Sequence, residues 1–509
     1  MIMLSRDTGK RRAAFFVLPF FVMWLAAAHG QSPAPAEEHE HPVPEKLGRV
    51  QFPTSCSSKV QKNFERSVAL LHSFAYSAAE KTFSEVIKAD PNCAMAHWGV
   101  AMTYFHQLWE PPIAPQKIGQ GQAEIERAKQ LGGSERERAF IDALSLVYAN
   151  ADSVPYQKRL NRYAQAMREP AERHPDDAEC QIFYALALIA TAPASDATHA
   201  KQKEAAAILE PLFQKYPQHP GIAHYLIHAC DNSEMASRGL APARAYSQIA
   251  PSAPHALHMP SHIYTRLGMW EESIASNLAA RTAARGQGDK GEELHAMDYL
   301  AYAYLQLGRG AEAAHVLDEL RAMSGLDGSD FKMGYAASAI PARYAIERRQ
   351  WSEAAQLVPV DRAQPAVLAN TFWAHSVGLA RSGKLAAARQ EIEKLKSAYE
   401  QLRAAGDDYW ATQVHVQINE ALAWIEYAEG KSDEAIKVMR TAANEEDAIE
   451  KRPVTPGAIV PAREQLGDLL LETGNAKEAL KEFDSTLAQA PQRRGALMGA
   501  ARATAMESK

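Results

Sequence analysis

The chain has 509 residues, 47% hydrophobic and 23% charged, with 55 Lys and Arg against 61 Asp and Glu. This ordinary globular composition excludes a chain that is disordered throughout, and 28 Gly with 28 Pro exclude a collagen-like one. A formal charge of −6 gives no general pull on phosphate backbones, so nucleic acid is not an expected partner, and four cysteines are too few for a disulfide-dense scaffold.

Lys10-Arg11-Arg12 precede an apolar run from Ala13 to Ala28, which closes in Ala28-His29-Gly30. A basic segment, an apolar segment and small residues before a cut predict a signal peptide over residues 1–30, removed before Gln31. The run is interrupted by Pro19 and falls short of the roughly twenty residues that a membrane span requires. The expectation is therefore export, periplasmic or secreted, with no stable membrane span after cleavage. Residues 31–59 form a Pro-, Glu- and His-rich leader, in which His39 and His41 read as parts of a solvated tail. Export places the cysteines where disulfides persist. Cys56 and Cys93 flank the first helical pair and are expected to bridge it, whereas Cys180 and Cys230 fall on helical patterns and read as small buried residues.

From about residue 60 a repeat takes over. Ala79-x3-Phe83 is followed eight residues later by Pro91, and Ala479-x3-Phe483 by Pro491. Between them the chain turns repeatedly at glycine: RLGMWEESI at Gly268, QLGRGAEAA at Gly308, RSGKLAAAR at Gly383, AEGKSDEAI at Gly430 and ETGNAKEAL at Gly474. Apolar or small residues recur with helical spacing, as in Leu300, Ala301 and Tyr304. The pattern resembles the tetratricopeptide (TPR) repeat, a 34-residue helix pair written W-x2-L-G-x2-Y…A-x3-F…P. That resemblance implies an all-α fold, a right-handed α-solenoid over residues 60–493 of about nine or ten helix pairs, irregular around 107–175, with a C-terminal tail at 494–509. It also implies a concave groove, in which such proteins usually hold a peptide or partner protein. Pro260 and Pro341 depart from the pattern, standing in the Leu slot of first helices, where a proline costs about 3 kcal/mol.

The histidines follow the repeat. In HPGIAHYLIHACD, His224 and His228 follow the Trp and Gly slots, and in PHALHMPSHIYTRLG, His258 and His262 hold the same two places 34 residues on. His255 and His295 stand two before the Trp slots of their repeats, and Asp298 just after one. His72 and His106, also 34 apart, each stand two after a Tyr slot. In TPR proteins these slots line the groove, so the resemblance implies that eight of the 18 histidines face it. Asp231 and Arg343 are expected there as well. The block from HPGIAHYLIHACD to HALHMPSHIYTRLGMWEESIASN is similar to one in a family of exported bacterial TPR proteins, to which no established activity attaches.

Geometry gives the clustering a chemical meaning. Residues four apart on a helix share a face, about 5–6 Å between Cβ atoms, and packed helices lie about 8–10 Å apart. Four imidazoles from two such pairs can therefore meet at one point. Nitrogen ligation suits zinc or copper, with iron also admissible, better than magnesium or calcium. The sequence thus predicts a metal cluster of His224, His228, His258 and His262, with His255, His295 and Asp298 at its edge. Gly286-x-Gly288-x-x-Gly291 follows a helix rather than a strand and reads as a loop, so no nucleotide is expected. The acidic and Pro-rich stretch 445–464 reads as a solvated helix end and a long connection, or as an acidic lip on the groove. The resulting expectation is an exported TPR scaffold whose histidine-rich groove binds a transition metal, a peptide, a partner protein or a small molecule. The alternative is a hydrolytic or oxidative metalloenzyme built on the same histidines.

Overall fold

The computed structural model describes residues 45–108 and 113–508. The expected signal peptide and the head of the leader, with His39 and His41, lie outside the described residues. Among the described residues every regular element is a helix. The helices pair in chain order as Ser58–His72 with Tyr76–Ala89, Ala178–Ala190 with Ala200–Lys215, Pro220–Cys230 with Leu240–Ile249, Lys290–Gln306 with Gly310–Ala322, Pro365–Arg381 with Leu385–Ala405, and finally Ala462–Glu472 with Ala476–Gln489. The fold is an α-solenoid of TPR type.

The glycine turns make this pairing. Gly268, Gly308, Gly383, Gly430 and Gly474 all have φ between +68° and +82°, a left-handed conformation that residues with a Cβ disfavour. At the first of them the Gly268 N–H donates to the Thr265 carbonyl at 3.2 Å and the Met269 N–H to that of Tyr264 at 2.8 Å. This paired C-terminal cap satisfies carbonyls that a helix end leaves open and turns the chain into its second helix. The Ala-x3-Phe signature is fully buried in both copies, at Ala79 and Phe83 and at Ala479 and Phe483. Phe83 packs so closely on the first helix of the next repeat that a Cβ on Gly99 would lie 2.4 Å from its ring.

Several boundaries differ from those read in the sequence. The stretch 107–175, read as helices with long connections that match the repeat poorly, holds helices Pro115–Leu131, Glu135–Tyr148 and Tyr156–Arg173, with Ile125, Phe140 and Tyr163 buried. The expected tail is a helix, Arg494–Glu507, that buries Ala496 and Ala503. The end of the leader is packed as well: Leu47, Val50 and Phe52 are buried, and the Phe52 ring meets that of Phe64 at 5.4 Å. Each correction has one cause, small or apolar residues that can cover a neighbouring repeat. Pro260 avoids its expected cost because the helix is divided there into Pro254–His258 and Pro260–Arg266, which puts the missing N–H at a helix start. Pro341 remains inside Phe331–Glu347. Cys56 and Cys93 are joined by a disulfide, and Cys180 and Cys230 are free and buried.

Helix Ser432–Asp447 ends with Asn444 and Asp447 exposed, and a long connection follows to Ala462, but that connection is packed on the repeats rather than standing out as an acidic lip. Glu450 N–H donates to the Ala194 carbonyl at 2.7 Å, and the Tyr299 hydroxyl donates to the carbonyls of Pro453 and Thr455, each at 3.2 Å. Arg343 holds the same segment through the carbonyls of Ala458 at 2.8 Å and Gly457 at 2.7 Å. The inner face of the histidine-bearing repeats is thus covered by the protein's own chain. No helix among the described residues is long and apolar enough to cross a membrane.

Candidate metal centre

His224 and His228 project from helix Pro220–Cys230, His255 and His258 from Pro254–His258, His262 from Pro260–Arg266 and His295 from Lys290–Gln306. All six are buried, none more than 6% exposed. They form two triads in place of the single four-histidine cluster expected. In the first, His224 Nε2 lies 3.1 Å from His228 Nε2 and 3.2 Å from His255 Nε2. In the second, His258 Nε2 lies 3.0 Å from His262 Nε2, and the His258 and His295 rings are 4.2 Å apart. Within each triad the three ligating atoms lie within 4.8 Å of one another. Between triads the rings of His228 and His262 are 6.0 Å apart and those of His255 and His258 6.1 Å, against 6.2 Å for His262 and His295 within the second. The ligating atoms group each i, i+4 pair with a histidine placed two before a Trp slot, His255 for the first and His295 for the second.

The ring orientations are fixed from outside. His224 Nδ1 lies 2.6 Å from the His72 backbone carbonyl, His255 Nδ1 3.2 Å from Glu292 Oε2, His258 Nδ1 2.6 Å from Asn277 Oδ1 and His262 Nδ1 2.9 Å from Asp231 Oδ2. Asn277 donates its own amide to the Ser273 carbonyl at 2.8 Å, which assigns the oxygen to His258. Each of these partners accepts, so each Nδ1 carries a proton and each ring turns its Nε2 lone pair inward. Two such lone pairs 3.0–3.2 Å apart repel unless a cation lies between them. A proton is a poor candidate. Burial, reinforced by the neighbouring imidazoles, holds His224, His228, His258 and His295 well below the usual imidazole range. Burial also pushes His262 down to about 4, despite its bond to Asp231. A metal ion suits the geometry, since nitrogens bound to one tetrahedral zinc at about 2.0–2.1 Å lie about 3.3 Å apart.

The other expected site residues have different roles. Asp298 is not at the edge of the cluster as a ligand: its Oδ1 accepts from Arg343 Nε at 2.8 Å, and both residues are buried. Arg343 accordingly faces no open groove but ties Asp298 to the covering segment. Asp231 supports the site from behind His262 and also accepts from Arg266 Nε at 2.9 Å and Lys451 Nζ at 3.0 Å. His106 donates to the Thr103 carbonyl at 2.9 Å and stacks on Tyr76 at 3.9 Å, apart from either triad. His72 belongs to a third group that the sequence did not reveal. Its Nε2 and that of His219 each lie 2.9 Å from Glu179, one on each carboxylate oxygen. Burial opposes ionisation of Glu179, yet the two imidazoles hold its pKa well below the ordinary carboxylate range. No local motif joins residues 72, 179 and 219; only their burial in one layer does.

A cavity of about 1140 Å³ reaches the site, with His228 and Asp231 in its wall together with Glu450 and Lys451 of the covering segment. It extends past Leu160, Ile189 and Tyr409, so its lining is mixed polar and apolar.

No protein-family model matches the chain. No curated protein matches it either. Among solved structures it is similar to the TPR domain of P58(IPK), at 13% identity over 89% of this chain and 99% of that one with a TM-score of 0.23. It is also similar to the Cut9–Hcn1 hetero-tetramer of APC/C, at 11% identity over 87% of this chain and 76% of that one with a TM-score of 0.35. Human IFIT1, solved as a dimer with m7Gppp-AAAA, gives 11% identity over 82% of this chain and 90% of that one with a TM-score of 0.36. What those proteins bind does not pass to this chain.

Proposed function

We propose that this protein is an exported metalloprotein in which a TPR-type solenoid holds transition-metal ions, zinc or copper, on two histidine triads. The observation that carries this reading is the set of facing Nε2 atoms at 3.0–3.2 Å, on buried rings each locked through Nδ1 to an acceptor. Such outer acceptors are the usual partners of metal-bound histidine. Export is supported by the basic and apolar N-terminal sequence and by the Cys56–Cys93 disulfide, which suits an oxidising compartment.

Three nitrogens per ion leave a coordination position open, the arrangement of a catalytic rather than a structural site. The cavity at His228 gives that position somewhere to open, which favours the metalloenzyme reading, hydrolytic or oxidative, over a site that only stores metal. Capture of a peptide against these histidines is disfavoured because the segment around 450–458 already covers them.

Elemental analysis of protein purified from an exporting host tests the reading. At least one equivalent of zinc or copper is expected, retained through dialysis. Replacing His224 and His262 together by Ala should remove it while helical content by circular dichroism stays nearly constant. Wild-type protein that carries no metal, and whose Tm does not rise when zinc or copper is added, overturns the reading.

A further inference from the structure

We propose that the two triads act as one dinuclear centre, whose paired ions share a small bridging anion that arrives through the cavity at His228. The inference rests on the metal reading above and adds to it the coupling of the ions and the class of their external ligand.

Three observations carry it. The triads share no residue, so each supplies a complete and equal set of three nitrogens, and each leaves its ion short of ligands. The triads also lie side by side: the rings of His228 and His262, and of His255 and His258, are 6.0 and 6.1 Å apart, comparable with the 6.2 Å between His262 and His295 inside the second triad. Two-metal sites built for a shared ligand hold their ions about 3.5–4 Å apart, a spacing that adjacent triads can supply.

The third observation is charge. All six ligands are neutral imidazoles, so two divalent ions would bring four buried positive charges with no ligand to offset them. The surrounding carboxylates do not supply the difference. Asp231 is paired with Arg266 and Lys451, Glu292 with Lys332, Asp298 with Arg343, and Glu450 with Arg266. Four acids meet four bases, and that shell is neutral overall. Buried charge without compensation is costly, so an external anion is required, and an anion between the ions offsets both at once. The anion must be small, because the centre lies among six rings and the Tyr299 hydroxyl, 3.4 Å from His262 Nε2. Hydroxide fits as the resting bridge. Lys451 Nζ, 3.0 Å from Asp231 in the wall of the same cavity, places a cation where an incoming anion passes.

Copper(II) serves as the probe, loaded into the full chain and followed by elemental analysis and by electron paramagnetic resonance. Two equivalents of copper with loss of most of the resonance signal are expected, because a hydroxide bridge pairs the two spins. Sodium azide should then produce one new absorption band that saturates at one azide per chain. His228→Ala and His295→Ala should each retain one copper, now with its full signal and without the azide band. Wild-type protein that holds two coppers with a full spin count, or one copper only, overturns the dinuclear inference and leaves the metal reading standing. Failure to retain any copper or zinc defeats the metal reading itself. The wild-type spin count decides the question even if either variant fails to fold.

Discussion

Asp231 Oδ2 lies 2.9 Å from His262 Nδ1, and the same carboxylate receives Lys451 from the segment that covers the site. A ligand of the second triad and the cover of the cavity are therefore held by one side chain. Asp231→Asn keeps the shape but lets the amide present either a donor or an acceptor to His262. Outer partners of this kind typically account for 10–100-fold in metal affinity. We expect a loss of that order at the second triad and a smaller one at the first, measured by competition with a chromophoric chelator. Equal loss at both triads would mean that Asp231 acts on the fold rather than on His262.

The metal-free protein should be acid-sensitive in a defined window. Burial pushes His262 down to about 4, while the unfolded chain titrates near 6.5. Below 6.5 the unfolded state takes up a proton that the native state refuses, so the stability that is complete above 6.5 is lost as pH falls towards 4. For His262 alone this amounts to about 3 kcal/mol, and His224, His228, His258 and His295, lowered by burial, act in the same direction. Thermal melts of metal-free protein should be level above pH 7 and fall steeply between 6.5 and 4, with a shallower fall in His262→Asn. Bound metal should hold the plateau to lower pH until protons displace it.

The sequence exposed the parts of this molecule that repeat. The 34-residue spacing of His224 with His258, and of His228 with His262, was readable because the solenoid reuses one helix geometry, and the glycine turns were readable because each demands positive φ. The partition of the histidines into two triads was not readable. It depends on His255 and His295 closing different sets, which follows from how neighbouring helices face one another rather than from spacing within either. The covering segment was equally hidden, because Tyr299 and Arg343 hold it through backbone carbonyls, which carry no residue signature. Asp298 illustrates the opposite error: its slot suggested a ligand, but a buried arginine 45 positions away claims its Oδ1.

Reduction of the Cys56–Cys93 disulfide should loosen the N-terminal repeat without emptying the metal centre. The bond spans a separation of 37 residues, for which chain-entropy arguments give about 4 kcal/mol. Cys56→Ser/Cys93→Ser should lower the first unfolding transition and increase proteolysis before residue 94, while metal content stays unchanged. In a solenoid such loss remains local, because each repeat contacts chiefly its neighbours. Coincident loss of metal would instead couple the first repeat to the triads.

One route for such coupling exists, through the His72 carbonyl that holds His224 Nδ1 at 2.6 Å. Gly221 controls it. A Cβ at this position would lie 2.6 Å from His72 Nδ1 and 2.8 Å from its Cγ, too close for either ring or helix to stay in place. Alanine in a helix is ordinarily more favourable than glycine by up to about 1 kcal/mol. Here the clash must push His72 away from Glu179 and Tyr225, which it meets at 2.9 and 3.0 Å, or shift helix Pro220–Cys230 away from it. Either movement turns His224. Gly221→Ala should therefore weaken metal at the first triad, measured by chelator competition, although no ligand has been altered. The second triad, supported by Asn277 and Asp231, should keep its affinity. If Gly221→Ala leaves the first triad at wild-type affinity, His224 is held by its neighbours in the triad alone, and the His72 carbonyl is dispensable.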